Sequence, residues 1–63
     1  MCKKYILFDF YENEFGELIT ASDSMYDIKK SAKQYKKDTD GECMLCCEQW
    51  NDELNGYTHM MNL

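Results

Sequence analysis

One stretch of helical periodicity, held between stretches that alternate, is what most limits the folds open to this chain. Met25, Ile28, Ala32 and Tyr35 recur at i, i+3, i+7 and i+10, a single apolar stripe on a helix running from Ser24 to about Lys37. Ser24 suits the N-cap, with Asp27 three residues on as an acidic capping partner and Ser22 and Asp23 keeping the entry polar. Asp38-Thr39-Asp40-Gly41 ends the helix, glycine being free to take positive φ.

Around the helix the pattern has period two. Residues 4–11 place Ile6, Phe8 and Phe10 on one face and Tyr5, Leu7, Asp9 and Tyr11 on the other. Glu12–Gly16 reads as a turn, and Glu17–Ala21 returns as a second strand. Glu42–Trp50 reads as a third strand, with Cys43, Leu45 and Cys47 facing one way and Met44, Cys46, Glu48 and Trp50 the other. Tyr57–Met61 makes a short fourth strand. Asn55-Gly56 is the dipeptide a type I′ turn prefers; that turn extends the strands to Leu54 and Tyr57 and sets Asp52 opposite His59. A polar loop over 51–56 is the alternative, and the tight turn is the expectation.

The fold class expected is therefore α+β: ββαββ, a four-stranded antiparallel sheet with one helix on one face, a single small domain over residues 1–63. Sixty-three residues leave no room for a second domain or for a dinucleotide-binding fold.

One helix covers one sheet face, and both faces are apolar here. An antiparallel sheet that meets water usually turns polar residues to it. The helical stripe is expected to pack on Ile6, Phe8 and Phe10, so that the other face carries Tyr5, Leu7, Tyr11, Met44, Cys46 and Trp50, with only Asp9 and Glu48 among them. Such a patch marks an interaction surface or a homodimer interface. The expected partner-binding residues are Tyr5, Tyr11, Trp50 and Met44 on that face, joined by the acids Glu12, Glu14, Glu17 and Glu48.

The four cysteines allow a competing chemistry. Cys43-Met44-Leu45-Cys46 has zinc-knuckle spacing, and Cys2, Cys47 and His59 offer further ligands. Yet neighbours along a strand are poorly placed for a disulfide, and on a strand Cys43 and Cys46 point to opposite faces. Reduced cysteines packed as small apolar residues, with no cofactor, are the expectation. A zinc-binding regulatory miniprotein using Cys2, Cys43, Cys46 and His59 is the alternative.

No catalytic set is legible. His59 is the single histidine, Glu12, Glu14 and Glu17 crowd onto a turn, and the glycines at 16, 41 and 56 are too scattered to cradle a phosphate. The chain reads as a non-enzyme.

Charge is unevenly laid out within a net −5. Residues 38–63 hold six acids and no lysine, while residues 24–37 hold five lysines and one acid. The lysines span one helix flank with Tyr26 among them, an arrangement that can bind phosphates. Without any arginine, and in an acidic chain, a solvated flank is the better reading than direct nucleic-acid binding. Lys3 and Lys4 precede an apolar run that Asp9 stops after four residues, too short for a secretory core or a membrane span. With reduced thiols this suggests a cytoplasmic protein without a membrane partner.

In size and charge the chain resembles the small proteins that phages and mobile elements use to inhibit host enzymes, anti-defence and anti-CRISPR proteins among them. The resemblance rests on no motif. It implies a protein partner in the host cytoplasm, a nucleic-acid-binding host protein whose basic groove the acidic residues would occupy. A homodimeric structural module is a further reading of the same apolar face.

Overall fold

The computed structural model describes residues 2–63. It has β1 (Tyr5–Asp9), β2 (Glu17–Ser22), α1 (Met25–Asp38), β3 (Leu45–Asn51) and β4 (Gly56–Asn62). The strands form one antiparallel sheet in the order β2-β1-β3-β4, and α1 packs on one face of it, against β1 and β2. The expected fold class is the one observed.

Local chemistry explains the element ends. Ser24 is the N-cap in extended conformation, and its Oγ accepts the Asp27 N–H at 3.4 Å. Ser22 Oγ accepts the Ser24 N–H at 3.0 Å and donates to Asp27 Oδ2 at 3.2 Å, so β2 hands over to the helix through side-chain bonds. At the other end the Gly41 N–H reaches the Lys36 carbonyl at 2.8 Å, with Asp40 (φ 56) and Gly41 (φ 82) both left-handed. Gly16 closes the β1–β2 connection at φ 83, and a Cβ there would lie 2.6 Å from the Phe10 ring.

The core lies between α1 and the sheet. Leu7, Ile28, Ala32, Leu45 and Cys47 are buried in one cluster, with Tyr5, Ile19, Met25, Tyr35, Cys43, Met61 and Leu63 packed against it. Leu7 is at its centre, paired with Thr20 on one side and Cys47 on the other, and is 0% exposed. The helical stripe and the inward face of β3 are thus as expected.

The face of β1 is the reverse of the expectation. Tyr5, Leu7 and Asp9 point toward α1; Ile6, Phe8 and Phe10 point away. Asp9 makes this orientation tolerable. Its carboxylate accepts the Tyr35 hydroxyl at 2.7 Å and the Tyr11 and Met44 N–H groups at 2.9 and 3.0 Å, so an acid at 8% exposure is fully partnered.

The tight Asn55-Gly56 turn is also corrected. Trp50 pairs with Tyr57 and Asn51 with Gly56, leaving Asp52–Asn55 as a four-residue loop. Asn51 Oδ1 accepts the Glu53 and Leu54 N–H groups at 2.9 and 3.3 Å, and Asn55 takes positive φ (51). Asp52 therefore does not face His59, whose cross-strand partner is Glu48. No helix among the described residues is long and apolar enough to cross a membrane.

Candidate functional site on the uncovered sheet face

The sheet face away from α1 is built row by row from the register. Phe8 lies between Leu18 and Cys46, and Ile6 between Ala21 and Glu48. On β4, His59 stands opposite Glu48 and Tyr57 opposite Trp50. Phe10 continues the row beyond the end of β1, its ring centroid 5.9 Å from that of Phe8. Trp50 and Tyr57 meet edge to face at 5.2 Å, and the Trp50 indole N–H donates to Asp52 Oδ1 at 2.7 Å. These aromatic rings are half-buried by one another, while Leu18 and Met44 at the margins are 58% and 60% exposed.

Of the residues expected on this face, Trp50, Met44, Cys46 and Glu48 are on it. Tyr5 and Tyr11 are not, which corrects the reason for choosing them. Tyr5 packs against the helix-side core, with Lys4 Nζ 5.4 Å from its ring centroid. Tyr11 lies past the end of β1 and lines a cleft of about 260 Å³ with Asp9, Tyr35 and Thr39 on the helix side. Sequence reasoning missed Phe8, Phe10 and Tyr57 on this face, and offered His59 only as a zinc ligand. No signal within β1 separates its two faces: both are apolar, and the donors that allow Asp9 to turn inward come from Tyr35, Met44 and Tyr11 in the folded chain.

The acids Glu12 and Glu14 stand exposed in the loop after β1, and Glu17 opens β2. Asp52 and Glu53 lie in the loop after β3. Because β1 and β3 run antiparallel, these two acidic loops bracket the aromatic face from opposite ends. Glu48 lies within the face.

Cys46 and His59 also meet here, Sγ to Nδ1 at 2.9 Å, beside a cleft of about 400 Å³ lined by Phe10, Met44 and Leu63. Burial raises the pKa of the Cys46 thiol, and the Glu48 carboxylate adds to the rise. Both causes favour the neutral thiol, and the tautomer of His59 sets which of Sγ and Nδ1 donates in the contact. Nucleophilic and metal-binding cysteines act as thiolates, the form this setting disfavours. The zinc alternative fares unevenly: Cys43 packs against the helix-side core, on the far side of the sheet from Cys46, and Cys2 is exposed. Among the described residues, no three His, Cys, Asp or Glu side chains come together to hold a metal ion.

Compared with protein-family models, characterised proteins and solved structures, the chain matches none.

Proposed function

We propose that the protein is a non-enzymatic binding module that attaches to a protein partner through the uncovered sheet face, with Trp50, Phe8, Phe10 and Tyr57 as anchors. The observation that carries this reading is the face itself: an aromatic layer on the open side of a two-layer fold, rimmed by acids at both ends. Its area supports the acids' involvement. Four strands of five to seven residues make a face of about 400 Å², whereas a standard interface takes about 800 Å² from each partner. The loops bearing Glu12, Glu14, Asp52 and Glu53 adjoin it and supply the remainder. An acidic rim around an aromatic centre suits a basic surface, and the nucleic-acid-binding groove of a host protein, occluded by the module, is the partner this chemistry favours.

Trp50→Ala tests it. Affinity capture from nuclease-treated host extract, run in parallel on wild type and variant, should recover a partner that the variant loses. With that partner purified, the variant should bind about 30-fold more weakly, the equivalent of about 2 kcal/mol. Replacing Glu12, Glu14 and Glu17 with Gln should slow association, and the slowing should fade as salt rises. Equal capture by a folded Trp50→Ala protein refutes the assignment. A dimeric mass in solution that collapses to a monomer in Trp50→Ala transfers the face to a second copy of the chain.

A further inference from the structure

A second surface, on the other side of the molecule, has a different chemistry. β2 is an edge strand whose neighbour is β1, so its outer N–H and C=O groups have no strand beside them. Along this edge, between β2 and α1, runs a groove of about 590 Å³. It is lined by Ile19 and Thr20 of β2 and, from the helix, by Tyr35 and by Lys30, Lys33 and Lys37. These lysines fall at i, i+3 and i+7, one stripe of the helix. Among the described residues none of the three is in an ion pair. The acid that shares the groove, Asp38, has its carboxylate held by Gln34 Nε2 at 2.9 Å. In a chain of net charge −5, this is a local concentration of free positive charge beside a free strand edge.

We infer that this groove binds an acidic peptide in extended conformation, which adds to β2 as a fifth strand and sets its carboxylates on Lys30, Lys33 and Lys37. The spacings agree. Alternate side chains of a strand repeat every 6.6 Å or so, while the three lysines rise by about 4.5 and 6 Å along the helix, a difference their flexible stems absorb. Backbone pairing supplies attachment, and the lysines select for acids on the groove-facing side. A bulge at Ile19, between the pairs Leu7–Thr20 and Phe8–Leu18, limits regular pairing to the stretch beyond it. The added strand is therefore short, and charge must supply what a few backbone bonds cannot. Nucleic acid fits less well: it has no amide backbone to pair with the edge, and the chain has no arginine and an overall negative field.

The probe is a fluorescein-labelled octapeptide alternating Glu and Val, followed by anisotropy and by amide shifts in NMR spectra of the full chain. It should bind and move the amides of Thr20–Ser22 together with those of Lys30, Lys33 and Lys37. N-methylation of alternate peptide bonds should abolish binding, as should replacing Glu with Lys. Lys30→Gln, Lys33→Gln and Lys37→Gln combined should weaken binding tenfold or more without changing the circular dichroism spectrum. The inference is overturned if the octapeptide does not bind, if the N-methylated peptide binds equally well, if an oligothymidylate binds more tightly, or if the shifts map to the Phe8 and Trp50 face.

Discussion

A carboxylate taken out of water costs free energy unless its oxygens find donors, and Asp9 finds three, from three parts of the fold. Tyr35 belongs to α1, Met44 precedes β3 and Tyr11 follows β1. Burial pushes the carboxyl up, but the bonds from the Met44 N–H, the Tyr35 hydroxyl and the Tyr11 N–H together outweigh it and hold the group below its ordinary 3.8. The same contact, Asp9 first among its causes, raises Tyr35 from 10.0 to about 12. The signs follow. Asp9 is ionised more readily in the folded state, so its contribution is present above pH 3.8 and is lost as pH falls below it. Tyr35 is kept neutral by folding, so its contribution is present below pH 10 and drains away as pH rises toward 12. The stability gap between wild type and Tyr35→Phe, from urea midpoints, should accordingly be widest between about pH 4 and 10 and narrow on both sides. A gap that ignores pH would mean that the pair is a passive contact.

At the scale of elements, the strands and helix were legible before the structure, and so was the face of β3. The face of β1 was not. Tyr5 and Leu7 are as apolar as Ile6 and Phe8, so hydrophobicity left the choice to Asp9, and a lone acid reads as solvent-facing until its donors from α1 and β3 are in view. The 52–55 loop was hidden for a related reason: Asn51 caps it by a side-chain bond, which competes with the turn that Asn55-Gly56 favours on its own. The candidate site inherited the first error at Tyr5 and Tyr11 and escaped it at Trp50, Met44 and Glu48, which depend on β3 alone. Orientation has an energetic consequence. Leu7→Ala empties the centre of the core and should cost about 3–5 kcal/mol, comparable with the whole stability of about 3–9 kcal/mol for a chain of this size. Phe8→Ala removes a half-exposed ring without leaving a closed cavity and should cost less than about 2 kcal/mol. Urea midpoints in the opposite order would return β1 to the other face.

At the scale of the whole molecule, one thin core holds a two-layer fold together, and Cys47 is among its fully buried side chains. Burial raises the Cys47 thiol pKa, with the neighbouring Cys46 and Glu48 adding to the rise. Cys47 acts as packing, and the thermal midpoint should be the same with and without EDTA. A midpoint that falls on chelation and recovers with zinc would reinstate Cys46 and His59 as half of a metal site.

The strand order also fixes a schedule. β1 is made early yet lies inside the sheet, and its second neighbour, β3, ends at Asn51, 42 residues after Asp9. On a ribosome adding about 5–20 residues per second, that interval lasts about 2–8 s. The β1–β2 hairpin can close within it, but the other edge of β1, flanked by Phe8 and Phe10, stays bare until β3 arrives. Until β3 pairs with it, β1 is an aromatic, half-paired strand, the kind of segment that holdase chaperones cover and that a second copy of the chain can pair with.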